Sequence, residues 1–146
     1  MNGPRPSTFA FLCDLPYLPA DSKIRVLGCV RQYNVIEGQL ILEHNYPRKR
    51  PEPSIVAVEI HAVIEDITAE ELSVGSWLNV LGYVRDSITS TASFSSSQQT
   101  VNSISARVPP RPVYLEAVMV FPAGAIQLGE YERIIRNAQD IERRLR

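Results

Sequence analysis

Residues 26–31 read Val-Leu-Gly-Cys-Val-Arg and residues 80–85 read Val-Leu-Gly-Tyr-Val-Arg, so five of the six positions are identical. In both segments inward-facing apolar residues alternate with outward candidates, which is the pattern of a β-strand with one buried face. Each segment also carries a glycine in mid-strand, where a strand that coils tightly needs a residue without a side chain. The two segments therefore predict strands that lie side by side in a small, strongly curved barrel.

Three more stretches have strand character, which gives five predicted strands in all. In chain order the five are Ile24–Tyr33, Leu40–Tyr46, Ile55–Val63, Trp77–Arg85 and Val113–Phe121. A Glu37-Gly38 turn joins the first two as a hairpin. Alternation predicts the following inward positions: Ile24, Val26, Gly28, Val30, Val56, Val58, Ile60, Ala62, Leu78, Val80, Gly82 and Val84. The fifth strand is apolar on both faces, so we expect it to be covered on both sides.

Helix signals occur at two places. Thr68-Ala69-Glu70-Glu71 is a capping box, which predicts a short turn of helix before Val74-Gly75. Leu128–Leu145 has apolar residues within an arc of about 140° at ~100° per residue, which predicts one long amphipathic helix. Acidic residues near its start and arginines at its end suit the helix dipole.

The order of elements is strand, strand, strand, short helix, strand, strand, long helix, and this is the order of the OB-fold. We therefore predict an all-β protein with flanking helices: a five-stranded OB-fold barrel, a short helix between strands 3 and 4, and a long C-terminal helix. The chain has 146 residues, a usual length for a single domain. Within that domain, 1–146, we expect an N-terminal lead-in (1–20), a long flexible loop (87–112) and the terminal helix (128–145).

Composition and motifs argue against several classes of function. The net charge is −1, so any nucleic-acid binding must come from local clusters of basic residues. Cys13 and Cys29 are too few for a disulfide framework or a metal site, and they fit reduced intracellular thiols. The first residues, Met-Asn-Gly-Pro-Arg-Pro, lack the apolar run that a signal peptide needs. The apolar stretch Val113–Leu128 is expected to be too short and too interrupted to span a bilayer.

Catalytic motifs are missing as well. The sequence contains no nucleophile elbow, no phosphate-binding glycine loop and no zinc spacing. His44 and His61, near Glu43 and Glu59, are better explained as surface strand positions than as an acid–base pair or a partial metal site. We therefore predict no catalytic residue, no metal and no cofactor, and a protein that works by binding.

Aromatic and basic residues are interleaved where OB barrels hold single strands, across the second and third strands and the flanking loops. Stacking of bases needs exposed aromatic rings, and contact with phosphates needs Arg or Lys. The candidate nucleic-acid-binding residues are Arg31, Tyr33, Tyr46, Arg48, Lys49, Arg50, Tyr83, Arg85 and Arg107. The alternative is that these tyrosines and arginines lie outward and only cover apolar surface with their stems.

The terminal helix gives a second candidate site. Its apolar stripe continues to Leu145, next to the last residue of the chain. Part of the stripe must pack on the barrel, and the rest can meet a partner, as amphipathic helices do in apolar grooves. Sequence alone leaves both readings open.

The chain resembles the smallest, Ten-type subunit of the telomere-capping CST complex, in a filamentous-fungal form. The resemblance is carried by Pro4-Arg5-Pro6-Ser7-Thr8, by Lys23–Val30, by Val74-Gly75-Ser76-Trp77-Leu78-Asn79-Val80-Leu81-Gly82 and by the single terminal helix. The family is similar in plan to the small subunit of replication protein A. The loop 87–112 is longer than the compact family pattern, so no role is transferred to it.

The resemblance implies a set of partners. They are a Stn-type OB-fold subunit bound as a heterodimer, a larger telomere-binding subunit reached through it, telomeric single-stranded DNA bound weakly by the chain alone, and polymerase α–primase. It implies a location in the nucleus at chromosome ends and no membrane. Arg25 and the helix face would meet the Stn-type subunit, through these helix residues: Tyr131, Ile134, Ile135, Ala138, Ile141 and Leu145. The alternatives are a small subunit of a general replication-protein-A-like complex and a scaffold that stabilises its partner without touching DNA.

Overall fold

The structure is a computed structural model that describes residues 6–47, 52–87, 111–125 and 127–145. Its strands are β1 (Thr8–Phe9), β2 (Lys23–Asn34), β3 (Gln39–His44), β4 (Ser54–Glu59), β5 (Trp77–Asp86) and β6 (Val113–Pro122). Its helices are α1 (Leu128–Arg144) and two 3-10 helices, Leu12–Tyr17 and His61–Asp66. Most of the predicted loop 87–112 lies outside these ranges.

Strands β2 to β6 close a five-stranded barrel. β2 pairs antiparallel with both β3 and β5, β3 pairs antiparallel with β4, and β5 pairs antiparallel with β6. A short parallel pairing of β4 with β6 completes the ring, and β1 adds a sixth strand, parallel to β2. The predicted fold class, an all-β barrel with flanking helices, is confirmed.

The repeated hexapeptide forms the seam between β2 and β5. Val26 lies opposite Val80, and Gly28 lies opposite Leu78. A Cβ atom on Gly28 would lie 2.9 Å from the Cβ of Leu42, and one on Gly82 would overlap the main-chain carbonyl of Glu116. Both positions therefore require glycine, because the neighbouring strand approaches too closely for any side chain.

All but one of the predicted inward positions are buried in the barrel core. Its fully buried members include Val26, Val58, Leu78 and Val80. The third strand, predicted to reach Val63, ends at Glu59, because the chain turns into the 3-10 helix His61–Asp66 and leaves Ala62 exposed. The prediction that residues 60–63 belong to the strand was therefore wrong.

Strand β6 is not covered on both faces as the sequence suggested. Leu115 and Ala117 are buried, but Val118 and Met119 are exposed. The register with β5 shifts at this point: Ala117 pairs with Gly82 and Met119 pairs with Leu81. Val118 is therefore the extra residue of a β-bulge, which turns both side chains outward.

The short helix between the third and fourth barrel strands is present, but it lies before the capping box. The box itself forms: Thr68 N donates to Glu71 Oε1 at 3.0 Å, and Glu71 N donates to Thr68 Oγ1 at 3.3 Å. The residues that follow the capping box form a turn and not the predicted short helix. The long helix α1 ends within one residue of its predicted end, and no helix in the described part of the chain is long and apolar enough to cross a membrane.

Replacing Gly82 by Ala should lower the free energy of unfolding by about 1–3 kcal/mol, the usual range for overpacking, because the new Cβ meets rigid main chain. Gly129→Ala is the matched control, since its Cβ would meet nothing within 4 Å. In a helix this exchange should leave stability unchanged or raise it by up to about 1 kcal/mol. Chemical denaturation measures both, and a Gly82→Ala protein as stable as wild type would contradict the close β5–β6 approach.

Candidate functional site

Helix α1 docks on the barrel through Glu132, Ile135 and Gln139, which we call its docking face. The side chains of Glu132 and Ile135 are buried. Glu132 Oε2 lies 2.8 Å from His44 Nε2 at the end of β3, and Gln139 Nε2 donates to Asp14 Oδ2 at 3.1 Å. The three docking positions fall on one side of the helix, at ~100° per residue.

His44 is not the surface residue that the sequence suggested. Its side chain is only 2% accessible, and it continues the buried alternation of Leu40 and Leu42 along β3. An aromatic cluster surrounds it: Trp77 lies edge-on with ring centroids 5.7 Å apart, and Phe11 and Tyr46 lie at 6.0 Å. The β3 alternation was the one signal that could have identified His44 as buried. His61, in contrast, is exposed, with Nδ1 3.4 Å from Glu59 Oε2.

The other side of α1 carries four exposed apolar residues, Ile134, Ala138, Ile141 and Leu145, which we call the outer stripe. They fall within an arc of about 60°, whose centre is about 120° from that of the docking face. Leu145 is 81% exposed. Of the predicted partner-binding residues on the helix, Ile135 therefore faces the barrel, Tyr131 is half-buried, and the remaining four are open.

Arg25 lies beside the start of α1, on the outer face of β2. Its guanidinium is 5.1 Å from the ring centroid of Phe9 and 5.0 Å from that of Phe121, and its Nε donates to Asn79 Oδ1 at 3.4 Å. Within the described residues it forms no ion pair with a carboxylate. Two flanking rings hold the cation by cation–π attraction and leave its charge without an acidic partner.

Tyr131 is the residue that joins Arg25 to the helix. Burial raises the pKa of its phenol to about 12, and the nearby Arg25 charge opposes that rise. Its hydroxyl is buried and has no hydrogen-bond partner among the described residues. The structure thus brings together two of the predicted partner-binding residues that are over a hundred positions apart in the chain.

A row of side chains crosses four strands at Arg25. The pairings run from Phe9 on β1 to Arg25 on β2, to Leu81 on β5 and to Met119 on β6. Phe9 and Met119, at the two ends, are exposed. Apart from Arg25, this row of side chains is therefore apolar.

The predicted nucleic-acid-binding residues do not form one compact site. Arg31 lies 3.8 Å from Glu43, Tyr33 packs against the core, and Tyr46 stacks on Phe11 at 4.2 Å. Four others, Arg48, Lys49, Arg50 and Arg107, lie outside the described residues.

Tyr83 and Arg85 lie far from Arg31. The Arg85 guanidinium stands 5.1 Å from the ring centroid of Tyr83 and is bound by Asp21 and Glu116. Tyr83 pairs with Lys23 at the start of β2, and Arg31 comes eight residues later in the same strand. At about 3.3 Å per residue that separation reaches about 26 Å.

The groove where OB barrels usually hold a single strand is acidic. It measures about 590 Å³ and lies across β3, β4 and the start of β6. Its lining residues are Glu37, Gln39, Ala57, Glu59, Asp86, Ser87, Val113 and Tyr114. No Lys or Arg is among the described residues that line it, and of its three carboxylates only Asp86 is paired with an arginine, Arg111 at 2.8 Å, so the lining offers phosphate no cationic contact. The described ranges also contain no group of three or more His, Cys, Asp or Glu side chains that could hold a metal ion.

The closed five-stranded barrel with its terminal helix belongs to the class of OB-fold proteins. The family model of Ten1, described as a telomere-capping CST complex subunit, matches residues 1–136. The chain belongs to this Ten1 family, and the resemblance inferred from its sequence is confirmed.

Solved structures from S. pombe are among those that share the fold. A chain in the crystal structure of the S. pombe Stn1–Ten1 complex is 20% identical, with a TM-score of 0.64, over 94% of this chain and 96% of that chain. The telomere-capping protein Ten1 from S. pombe is 19% identical, with a TM-score of 0.62, over 92% of this chain and 99% of that chain. None of the curated proteins matches the sequence significantly.

The raised pKa of Tyr131 predicts how stability changes at high pH. Between pH 10, the usual phenol pKa, and about 12 the unfolded chain loses this proton while the folded chain keeps it. The stability that depends on the neutral phenol is therefore complete below pH 10 and falls as pH rises towards 12. Tyr131→Phe should remove that part of the decline and cost little at pH 7, because the hydroxyl makes no hydrogen bond.

Denaturant unfolding from pH 7 to 11.5 measures this effect. Tyr17→Phe, at an exposed tyrosine, is the control and should decline as wild type does. If Tyr131→Phe and wild type lose stability in parallel, the phenol does not lie in the buried position described.

Proposed function

We propose that this Ten1-family chain is a non-enzymatic telomere-capping subunit that forms a heterodimer with a Stn-type OB-fold protein. The outer stripe of α1 and the Arg25 face form the proposed interface. The observation that carries the proposal is the exposure of Ile134, Ile141 and Leu145 on a helix whose opposite side is already docked.

The outer stripe has the chemistry of a helix that inserts into an apolar groove. Its residues recur at intervals of three and four, as the anchors of such helices do. Full burial of an Ile or Leu side chain contributes roughly 1.5–3 kcal/mol. Two such anchors in the desolvated centre of an interface would supply much of the affinity of an ordinary complex.

Arg25 would add specificity to this apolar contact. A guanidinium held between two rings has little conformational freedom left to lose, and it presents donors that suit a carboxylate. A partner acid at this point would pair with a charge that forms no ion pair within the described parts of the chain. The flanking Phe9 and Met119 would exclude water around that pair.

The comparisons support the choice of partner. The chain covers nearly all of a chain in the Stn1–Ten1 complex of S. pombe. By family, the Stn-type subunit would connect this chain to a larger telomere-binding subunit and to polymerase α–primase, in the nucleus at chromosome ends. The proposed duties are telomere end protection and replication.

Direct contact with telomeric DNA is a smaller part of the proposal. Arg31 and Arg85 are engaged by carboxylates of their own barrel, and the groove across β3 and β4 is acidic. We expect the chain alone to bind single strands weakly and the complex to bind them better. The acidic groove favours a second candidate, a scaffold that stabilises its partner without touching DNA.

Replacing Ile141 and Leu145 together by Ala should weaken the Stn-type complex at least about thirtyfold, because truncating one anchor in an interface typically costs ~2 kcal/mol. The melting temperature should change little, since both side chains are exposed. Arg25→Ala should also weaken association. Titration calorimetry and melting curves measure the two quantities.

Ile36→Ala is the matched control, because Ile36 is 94% exposed but lies in the hairpin between β2 and β3. It should leave the affinity unchanged. Wild-type affinity of the Ile141/Leu145 variant would rule out the outer stripe as the interface.

The chain alone should bind a telomeric single-stranded oligonucleotide with a Kd weaker than about 1 µM at physiological salt, and affinity should fall as salt rises. Fluorescence anisotropy measures it, with the chain alone and in the Stn-type complex, and duplex DNA as control. Submicromolar binding by the chain alone would make DNA binding its primary function. No binding in either form would favour the scaffold.

A further inference from the structure

The docking face of α1 has a buried polar pair at its first position, beside the apolar contact of Ile135. Glu132 and His44 are 5% and 2% accessible, and their atoms approach to 2.8 Å. They are 88 residues apart in the chain. Phe11, Tyr46 and Trp77 enclose the imidazole, so the pair sits in a region with little water.

Such a pair is a poor source of stability. Removing two polar groups from water costs free energy that their attraction only partly returns, and apolar residues of similar size often stabilise as well or better. A buried polar contact between helices does, however, fix their register, because only one arrangement satisfies both groups.

On apolar grounds alone, α1 would dock in another orientation. Three of its large aliphatic residues, Ile134, Ile141 and Leu145, lie exposed on the outer stripe, whereas Ile135 is buried on the docking face. Rotating the helix to bury them would bring Glu132 away from His44 and leave two polar groups without each other. The pair therefore opposes the rotation that would hide the outer stripe against the chain's own barrel.

We propose that the His44–Glu132 pair is a positioning latch, which holds α1 with its outer stripe turned away from the barrel and ready for the partner. This inference rests on the proposed function, because it assigns the stripe to the Stn-type subunit. A pre-positioned helix has less freedom to lose on binding, so the latch raises affinity without touching the partner.

Three variants test the latch in the full chain. Glu132→Gln keeps a side chain of the same shape that can still accept a hydrogen bond from the imidazole, and it should bind the Stn-type subunit within about twofold of wild type. Glu132→Leu leaves the imidazole without its acceptor and should weaken binding about tenfold. His44→Leu combined with Glu132→Leu removes both members of the pair and should restore part of the melting temperature that Glu132→Leu loses, but not the affinity, because an apolar contact has no direction.

A second readout reports the position of the helix in the free chain. Trp77 is the only tryptophan in the sequence, and its ring lies 5.7 Å from that of His44. Its emission should shift in Glu132→Leu and should stay at the wild-type wavelength in Glu132→Gln. The double variant has no part in this readout, because His44→Leu itself changes the ring beside Trp77. A double variant that regains both melting temperature and affinity would overturn the latch, as would wild-type affinity in Glu132→Leu.

The failure of the proposed function would be separately visible. If Ile141→Ala with Leu145→Ala binds the Stn-type subunit as wild type does, the interface lies elsewhere. In that case the Trp77 emission still decides whether the pair positions the helix, and an unshifted spectrum in Glu132→Leu would overturn the inference by itself.

Discussion

The barrel closes because neighbouring strands come into direct contact at two glycines, Gly28 with β3 and Gly82 with β6. A side chain at either position would enter space already filled by Leu42 or by the main chain of Glu116. Strand β2 can therefore bend and pair with β5 along its first half and with β3 along its second. That closure forms the outer face on which aromatic rings flank Arg25. It also forms the surface at the end of β3 on which α1 docks.

Helix α1 has one face that contacts the barrel and another that is exposed. The His44–Glu132 pair, Ile135 and the hydrogen bond from Gln139 to Asp14 hold it to the barrel, while three large aliphatic side chains are left exposed. Ordinary amphipathic helices do the reverse, since burial of the apolar face is what stabilises them. The arrangement suits a subunit whose outer stripe belongs to an interface, as proposed above. The helix is then already oriented for its partner although few contacts hold it to the barrel.

Sequence reasoning succeeded where the controlling pattern is local. Period-two alternation predicted the strands, and the mid-strand glycines predicted the β2–β5 seam. It failed where the outcome depends on residues that are far apart. His44 was read as a surface residue because its partner Glu132 is 88 positions away, and the helix pattern could not tell which part of the stripe the barrel buries. The bulge at Val118 likewise depends on the pairing of two whole strands. The nucleic-acid candidates were chosen by residue type, which says nothing of the carboxylates that engage Arg31 and Arg85.

The exposed outer stripe also affects what happens to a molecule of this protein that has no partner. Exposed apolar surface of this kind is what chaperones and proteases detect, and it favours self-association. A chain made in excess of its Stn-type subunit would then be removed or would aggregate, whereas one bound at once would be hidden from both fates. The exposure of Leu145 and its neighbours would thereby couple the amount of this subunit to the amount of its partner.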